Sequence, residues 1–232
     1  MPKKKPSVQP IPAPKKRTAR LAEAAFQRLQ QAIISRELKQ GDTVREQRLA
    51  REWNIGRTPM REAVRRAAEF GYLILRPNQA PTVRQLSADD IRQIYSIREL
   101  LECHALKEAE PHITDLELKK LRTISDKVDN TTKGRLAAQL SFDMAFHSLW
   151  ISKSENPWLT QAIDRLVIYR PNLANLLANR RELAERGFDE HKGILEALEA
   201  RDVRKAVRLL GQHIKNSGNT LAQLTQDPEN GQ

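Results

Sequence analysis

Along the first third of the chain, apolar positions recur with the period of a helix and then switch to that of a short hairpin. Leu21, Ala25, Leu29, Ala32 and Ile33 fall on one stripe, because residues three, four and seven apart share a face of an α-helix. This predicts a first helix from near Thr18 to about Leu38, ahead of Gly41. A second, short helix is predicted from Arg45 to Trp53, with Leu49 and Ala50 inward. Asn54 and Gly56 then mark a tight turn. Thr58 is placed to N-cap a third helix, with Pro59 at its first position, where a missing N–H costs nothing. Ala63, Val64 and Ala67 form its packing side, and it ends near Phe70, stopped by Gly71. The segment "YLILRPNQAPTV", Tyr72 to Val83, alternates apolar and turn residues and reads as a β-hairpin. Three helices followed by a small hairpin is the order of a winged helix-turn-helix.

From Ser87 onward the periodicity predicts helices alone. Ser87 caps the first, which reaches about Glu110 before Pro111. "TDLE", Thr114 to Glu117, is a capping box for the next. Further helices are predicted over Arg135 to Ser152, from Asn156 to a break at Pro171, over Arg181 to Ala200, and from a cap at Asp202 to about Leu224. The fold class is therefore mainly α: a winged helix-turn-helix and an all-helical bundle of six to seven helices. The expected divisions are a disordered basic arm over 1–17, a winged domain over 18–84, a helical domain over 85–225 and a disordered tail over 226–232.

Charge sharpens the division. The formal net charge is +11 over 232 residues, and residues 1–20 carry seven Lys or Arg and no acid. Residues 21–84 carry twelve basic and seven acidic side chains, and residues 85–232 carry twenty-one and twenty-two. A basic front on a neutral back points to a polyanionic partner at the front alone. No apolar run approaches the ~18 residues of a membrane helix, so no membrane role is expected. The basic N-terminus lacks the apolar stretch of a secretory signal. Cys103 is the only cysteine, which excludes an internal disulfide and a thiolate metal site, and fits a reducing, cytoplasmic setting.

Arg57, Arg61 and Arg65 follow the predicted turn at helical spacing, with Arg66 beside them. Arginines near the start of such a helix are placed to enter a major groove and pair with guanine O6 and N7. Thr58 and the helix N-terminus are placed to hold a phosphate. A solvated basic face is the plainer reading of the same spacing. At this point the sequence "GRTPMREAV", within the ungapped stretch Arg28 to Leu73, resembles the winged helix-turn-helix of the GntR transcriptional regulators. The resemblance implies base-reading roles for Arg57 and Arg61. Gly56 stands where that family usually has Ser, and Ala80 stands where the wing tip usually has Gly, with Pro81 after it.

The back half poses a different problem. In "SFDMAFHSLW", Ser141 to Trp150, Asp143 and His147 interrupt an apolar segment four residues apart, on one helical face. His191 shares a stripe with Ile194, Leu195 and Leu198, and His213 shares one with Ala206, Leu209 and Leu210. One carboxylate and three imidazoles suit Zn²⁺, Ni²⁺ or Mn²⁺. Spacing alone leaves open an Asp143–His147 pair with two ordinary core histidines. His104 is expected in the core and His112 in solvent. Residues 87–225 resemble the FCD effector domain of FadR-type GntR regulators, through "RELLE" (Arg98 to Glu102), "FDMAFH" (Phe142 to His147), Asn156, "EHKGILEAL" (Glu190 to Leu198) and His213–Ile214. The resemblance implies metal ligation by Asp143, His147, His191 and His213, with a small organic acid lying against the ion. Arg98 is expected to meet the acid's carboxylate; an internal pair with Glu102 is the plainer alternative.

The function expected is a ligand-responsive regulator, a repressor that binds a palindromic DNA operator as a homodimer and senses a small carboxylate at a divalent metal. Two alternatives remain at this stage. One is a metal-dependent hydrolase-like enzyme, against which stand the absence of an H-E-x-x-H motif and of an evident base, since Glu190 points about 100° away from His191 on a helix. The other is a regulator that senses the metal itself.

Overall fold

A computed structural model describes residues 16–35, 37–167 and 180–226. The chain divides into two units between Arg84 and Gln85, and each is described by itself. Residues 1–15 of the arm, Pro171 with its expected break, and residues 227–232 lie outside the described residues.

The first unit holds α1 (Lys16–Ile34), α2 (Glu46–Glu52), α3 (Arg57–Glu69), β1 (Leu73–Ile74) and β2 (Thr82–Val83). Helices α1 and α3 bury Ala25, Phe26, Leu29 and Ala32 against Met60, Ala63, Val64 and Ala67. Leu21, assigned to the inward stripe, is half exposed instead. It lies a turn before Ala25, Phe26 and Leu29, which carry the packing. Phe26 is flanked by Phe70 and Tyr72 at ring separations of 5.4 and 6.3 Å. The Arg66 guanidinium lies 4.5 Å over Phe26 and pairs with Glu23. The hairpin is antiparallel, with Leu73 opposite Val83 and Ile74 opposite Thr82, and Thr43 adds a bridge to Thr82. Asn78, with φ of 57°, takes the left-handed turn of the wing, while Ala80 is outside that region. An Asn tolerates αL better than most residues, so the wing turns two residues ahead of the expected glycine position.

The start of α3 departs from expectation. Gly56, not Thr58, is its N-cap, in extended backbone and with no side-chain cap. The helix begins at Arg57, and the Gly56 carbonyl already accepts from Met60 N–H at 3.1 Å. Pro59 therefore sits third in the helix rather than first. It still costs nothing there, because the first N–H groups of a helix have no intrahelical acceptor. Asn54 (φ 51°) and Gly71 (φ 82°) adopt the left-handed backbone that the turn and helix stop require.

The second unit is helical throughout its described residues: α4 (Ala88–Ala109), a 3₁₀ turn (Glu110–His112), α5 (Asp115–Asp129), α6 (Arg135–Lys153), α7 (Pro157–Val167), α8 (Arg181–Glu199) and α9 (Val203–Gln226). The predicted capping box of Thr114 with Glu117 forms, and the predicted cap Ser87 completes a second box with Asp90. Asn156 Oδ1 accepts from Leu159 N–H at 3.1 Å, and Asp202 Oδ1 from Lys205 N–H at 2.9 Å. One core runs through the unit, with Phe142, Phe146, Trp150, Ile194, Leu195, Leu210 and Ile214 at or near zero exposure. Helix α4 packs most extensively along α9. The approach is so close that a Cβ built on Gly218 would lie 2.6 Å from Tyr95 Cβ. His104, expected in the core, has a 59% exposed side chain beside Glu108 at 3.3 Å. Met144 also faces outward, because α6 turns only its Phe142–Phe146–Trp150 face inward. No described helix is long and apolar enough to cross a membrane.

Candidate functional sites

Helix α3 presents Arg57, Thr58, Arg61 and Arg65 on its exposed side, while Met60, Ala63, Val64 and Ala67 face the core. The arginines are not equivalent. Arg65 Nη2 meets Glu62 at 2.8 Å and its Nη1 meets Glu69 at 2.5 Å. These two carboxylates, by hydrogen bond and then charge, raise the Arg65 pKa above its already high value. Arg66 is held by Glu23 and stacked on Phe26. Arg57 and Arg61 make no ion pair among the described residues. Two cations thus stand unneutralised at the head of the helix.

In the second unit, α6 contributes Asp143 and His147, α8 contributes His191 and α9 contributes His213. One donor atom from each of the four lies within 4.8 Å of the others. His147 Nε2 is 3.2 Å from His191 Nε2. Asp143 Oδ1 is 3.6 Å from His147 Nε2 and 3.4 Å from His191 Nε2. A tetrahedral ion with bonds of about 2.0–2.1 Å separates its donors by about 3.3 Å, so these spacings fit a shared cation. The three imidazoles are buried, and Asp143 is 19% exposed.

The outer ring nitrogens are fixed by two glutamates. His147 Nδ1 donates to Glu102 Oε2 at 2.6 Å, and His213 Nδ1 to Glu190 Oε2 at 2.8 Å. In a neutral imidazole, a proton on Nδ1 leaves the Nε2 lone pair for the centre. Carboxylate–histidine pairs of this kind orient metal ligands and raise their basicity. Two buried lone pairs from His147 and His213 turned toward one centre, with Asp143 beside them, make an acceptor-rich pocket of the kind that could hold a divalent cation. The donor set, one oxygen and three imidazole nitrogens without thiolate, fits such an ion.

Each glutamate is itself anchored. Glu102 is wholly buried and accepts from Arg98 Nε at 2.9 Å and Nη2 at 2.7 Å. Burial works against the Arg98 charge, yet Glu102, Tyr95 and Asp143 together keep its pKa above the ordinary value. The guanidinium also lies 4.5 Å over the Tyr95 ring. Arg98, expected to meet an effector carboxylate, is thus engaged by Glu102. Burial opposes ionisation of Glu190, but hydrogen bonds from His213 and Asn216 outweigh it and hold its carboxyl below the usual range. Glu190 does point away from His191, as its sequence position implies, and it does so to reach the next helix. Sequence reasoning did not assign Glu102 and Glu190 to the centre. The readable signal was a buried-face acid on α4 and one beside His191. Cys103 takes no part: burial, then Glu99 and Glu102, push its thiol up to about 11, so it stays protonated.

A cavity opens on one side of the centre, between α6, α8 and α9. Asp143, His191 and His213 form one end of its lining, and Gln139, Arg186, Asn216, Ser217 and Thr220 give it polar groups elsewhere. Leu136, Leu140 and Leu183 supply apolar wall. Arg98 is not among its lining residues.

With this geometry in view, the chain was compared with known proteins. Residues 21–83 match the family described as bacterial regulatory proteins, gntR family, and residues 93–216 match the FCD domain. The chain is 28% identical over 130 residues to the Nta operon transcriptional regulator of Aminobacter aminovorans, covering 56% of this chain and 62% of that protein. It is 24% identical over 216 residues to the HTH-type transcriptional repressor RspR of Escherichia coli (strain K12), covering 86% and 88%. Among solved structures, E. coli McbR/YncC superposes with a TM-score of 0.74 at 25% identity, over 89% of this chain and 97% of that one.

Proposed function

Because the chain belongs to the gntR family of bacterial regulatory proteins and carries an FCD domain, we propose that this ligand-responsive regulator is a metal-containing repressor responding to a small organic acid. The observation that carries the reading is the convergence of Asp143, His147, His191 and His213, with Glu102 and Glu190 holding the outer nitrogens of two of the imidazoles. In this reading a divalent cation, Zn²⁺, Ni²⁺ or Mn²⁺, is held by those four side chains and supplies a Lewis-acid contact for an acid entering the adjoining cavity. Asp143, His191 and His213 line that cavity, so an oxygen of the acid reaches the ion from there. RspR, similar over most of its length, is described as a repressor, which supports the direction of regulation.

At the other end of the chain, Arg57 and Arg61 read base edges and Thr58 contacts phosphate. The chain acts as a homodimer on a palindromic operator, as symmetric half-sites demand of a single recognition helix per protomer. The acid then alters DNA affinity only through a difference in its own affinity for the two states. The hydrolase-like alternative is not favoured: among the described residues, the two glutamates beside the centre are engaged, Glu102 by Arg98 and His147 and Glu190 by His213 and Asn216. The relatives are transcriptional regulators as well.

The test is a gel-shift titration of the metal-loaded chain on its operator, with a panel of short acids and with metal alone. Acid-dependent release from DNA at constant metal content supports the proposal. Release that follows metal occupancy and ignores every acid establishes instead a sensor of the ion. Specific binding that survives both Arg57→Ala and Arg61→Ala removes the recognition assignment.

A further inference from the structure

The cavity beside the metal-ligand cluster has a water-accessible volume of about 60 Å³. This is well above the roughly 10–15 Å³ that one water position requires, so the cavity has room for more than a single solvent molecule. Its lining combines two kinds of group: Asp143, His191 and His213 of the centre, and the hydrogen-bonding side chains of Arg186, Ser217 and Thr220.

Arg186 has a specific place in this cavity. Its Nη2 donates to Thr220 Oγ1 at 2.9 Å, and it has no carboxylate at ion-pair distance among the described residues. The other arginines nearby are paired: Arg135 with Glu185 at 2.6 Å, Arg181 with Glu185 at 3.7 Å, and Arg98 with Glu102 at 2.7 Å. A second polar group also awaits a partner. Gln139 is 94% buried and lines the cavity. Apart from a weak approach to Glu185, its amide nitrogen has no hydrogen bond within the protein. A buried amide left in that state is costly unless a ligand or water completes it.

We infer that the effector is a short dicarboxylate, one end of which meets the cation while the other is received by Arg186 and Thr220, with Gln139 completing its hydrogen bonding midway. The inference rests on the reading of the centre as a cation site open to an acid. It goes beyond that reading in assigning a second acidic group to the ligand and Arg186 as the residue that selects it. A guanidinium recognises a carboxylate through paired N–H donors, and Thr220 engages only one nitrogen of the fork. A monocarboxylate of equal length would leave Arg186 with Thr220 and the more distant charge of Glu190.

The test uses the full chain loaded with Zn²⁺ and two matched pairs of acids, malonate against propionate and succinate against butyrate, titrated by calorimetry. At least one dicarboxylate is expected to bind about tenfold or more tightly than its partner, as one charge-assisted hydrogen bond dictates. Arg186→Gln is expected to erase that margin with zinc content and melting temperature unchanged, since the side chain is exposed and makes no ion pair among the described residues. Arg181→Gln, which removes an equal charge nearby, is expected to keep it. Equal binding of both members of each pair, or a margin that survives Arg186→Gln, overturns the inference while leaving acid sensing intact. Zinc retained with no acid bound at all overturns acid sensing and this inference together. Zinc not retained overturns the cation site beneath both.

Discussion

Arg61 on α3 and Arg98 on α4 are the same side chain in opposite circumstances. Arg61 is exposed with no ion pair among the described residues, whereas Arg98 is 4% exposed and held by Glu102. The chain spends two acids to neutralise Arg65 on the same helix as Arg61, and none on Arg61 itself. Unneutralised charge marks where something from outside is to be met. Charge closed off by a buried partner marks architecture. Among the described residues Arg57 and Arg61 are left open in this way, which supports their proposed contact with DNA, while Arg98 backs the imidazole cluster through Glu102.

The largest effect that would break this contrast concerns the centre. Chelation of the metal-loaded chain should lower its melting temperature on the order of 10 °C, because a saturating ligand of the native state contributes about 4 kcal/mol at a thousandfold excess over Kd. An unchanged melting curve after complete metal removal would show that the four donors pack without an ion. Next, Arg61→Ala should weaken specific operator binding by about 1–3 kcal/mol, while Arg65→Ala should cost clearly less because Glu62 and Glu69 already neutralise its charge. Equal losses in a filter-binding series would erase the distinction between bare and paired arginines.

Behind the ligands, Glu190→Gln should lower metal affinity about 10–100-fold, since the amide orients His213 without its charge. Competition against a fluorescent chelator reads this directly, and an unaltered affinity would reduce Glu190 to a packing role. A smaller effect concerns Glu117, whose carboxyl is pulled down to about 2 by hydrogen bonds from Lys153 and Thr114. A depressed carboxylate pKa adds stability that is fully present above its unfolded value and lost as pH falls through the folded one. Its contribution should therefore fade between pH 4.5 and about 2, and Glu117→Gln should flatten melting temperature against pH in that window alone. Smallest of all, Gly56→Ser should stabilise the first unit by a few tenths of a kcal/mol. The site accepts it: a Cβ there lies 3.4 Å from Pro59, ordinary contact, and the cap position lacks a side-chain acceptor.

How much of this was legible in the sequence varies with the range of the interactions. The helix-turn-helix is written locally, in Asn54, Gly71 and the spacing of Arg57 and Arg61, and it could be read almost residue by residue. The misplaced cap shows the limit of local chemistry: Thr58 has the preferred hydroxyl, yet the helix starts two residues earlier than that cap implies, after a glycine with nothing to offer but its carbonyl. The same holds for His104, whose spacing matches Ile97, Leu100 and Leu101. Ile97 and Leu100 are themselves exposed, 48% and 70%, so that stripe marks an outer face of α4. The stripes placed Asp143, His147, His191 and His213 inward, and only the family resemblance joined them into one set; the partners of the imidazoles were not legible at all. Glu102 reaches His147 across 45 positions, and Glu190 reaches His213 across 23. Such pairings depend on which helices become neighbours, which periodicity does not encode. Arg186 and Gln139 were invisible for the same reason: each acquires meaning from a cavity that three helices make together.

The crossing of Gly218 over Tyr95 ties the proposed cation site to a position that holds none of its donors. The Tyr95 ring lies under the Arg98 guanidinium, Arg98 grips Glu102, and Glu102 holds His147. One added methyl at position 218 would stand 2.6 Å from Tyr95 Cβ, so the two helices themselves would have to part. A single hydrogen in place of a side chain thus keeps that whole file of residues in line.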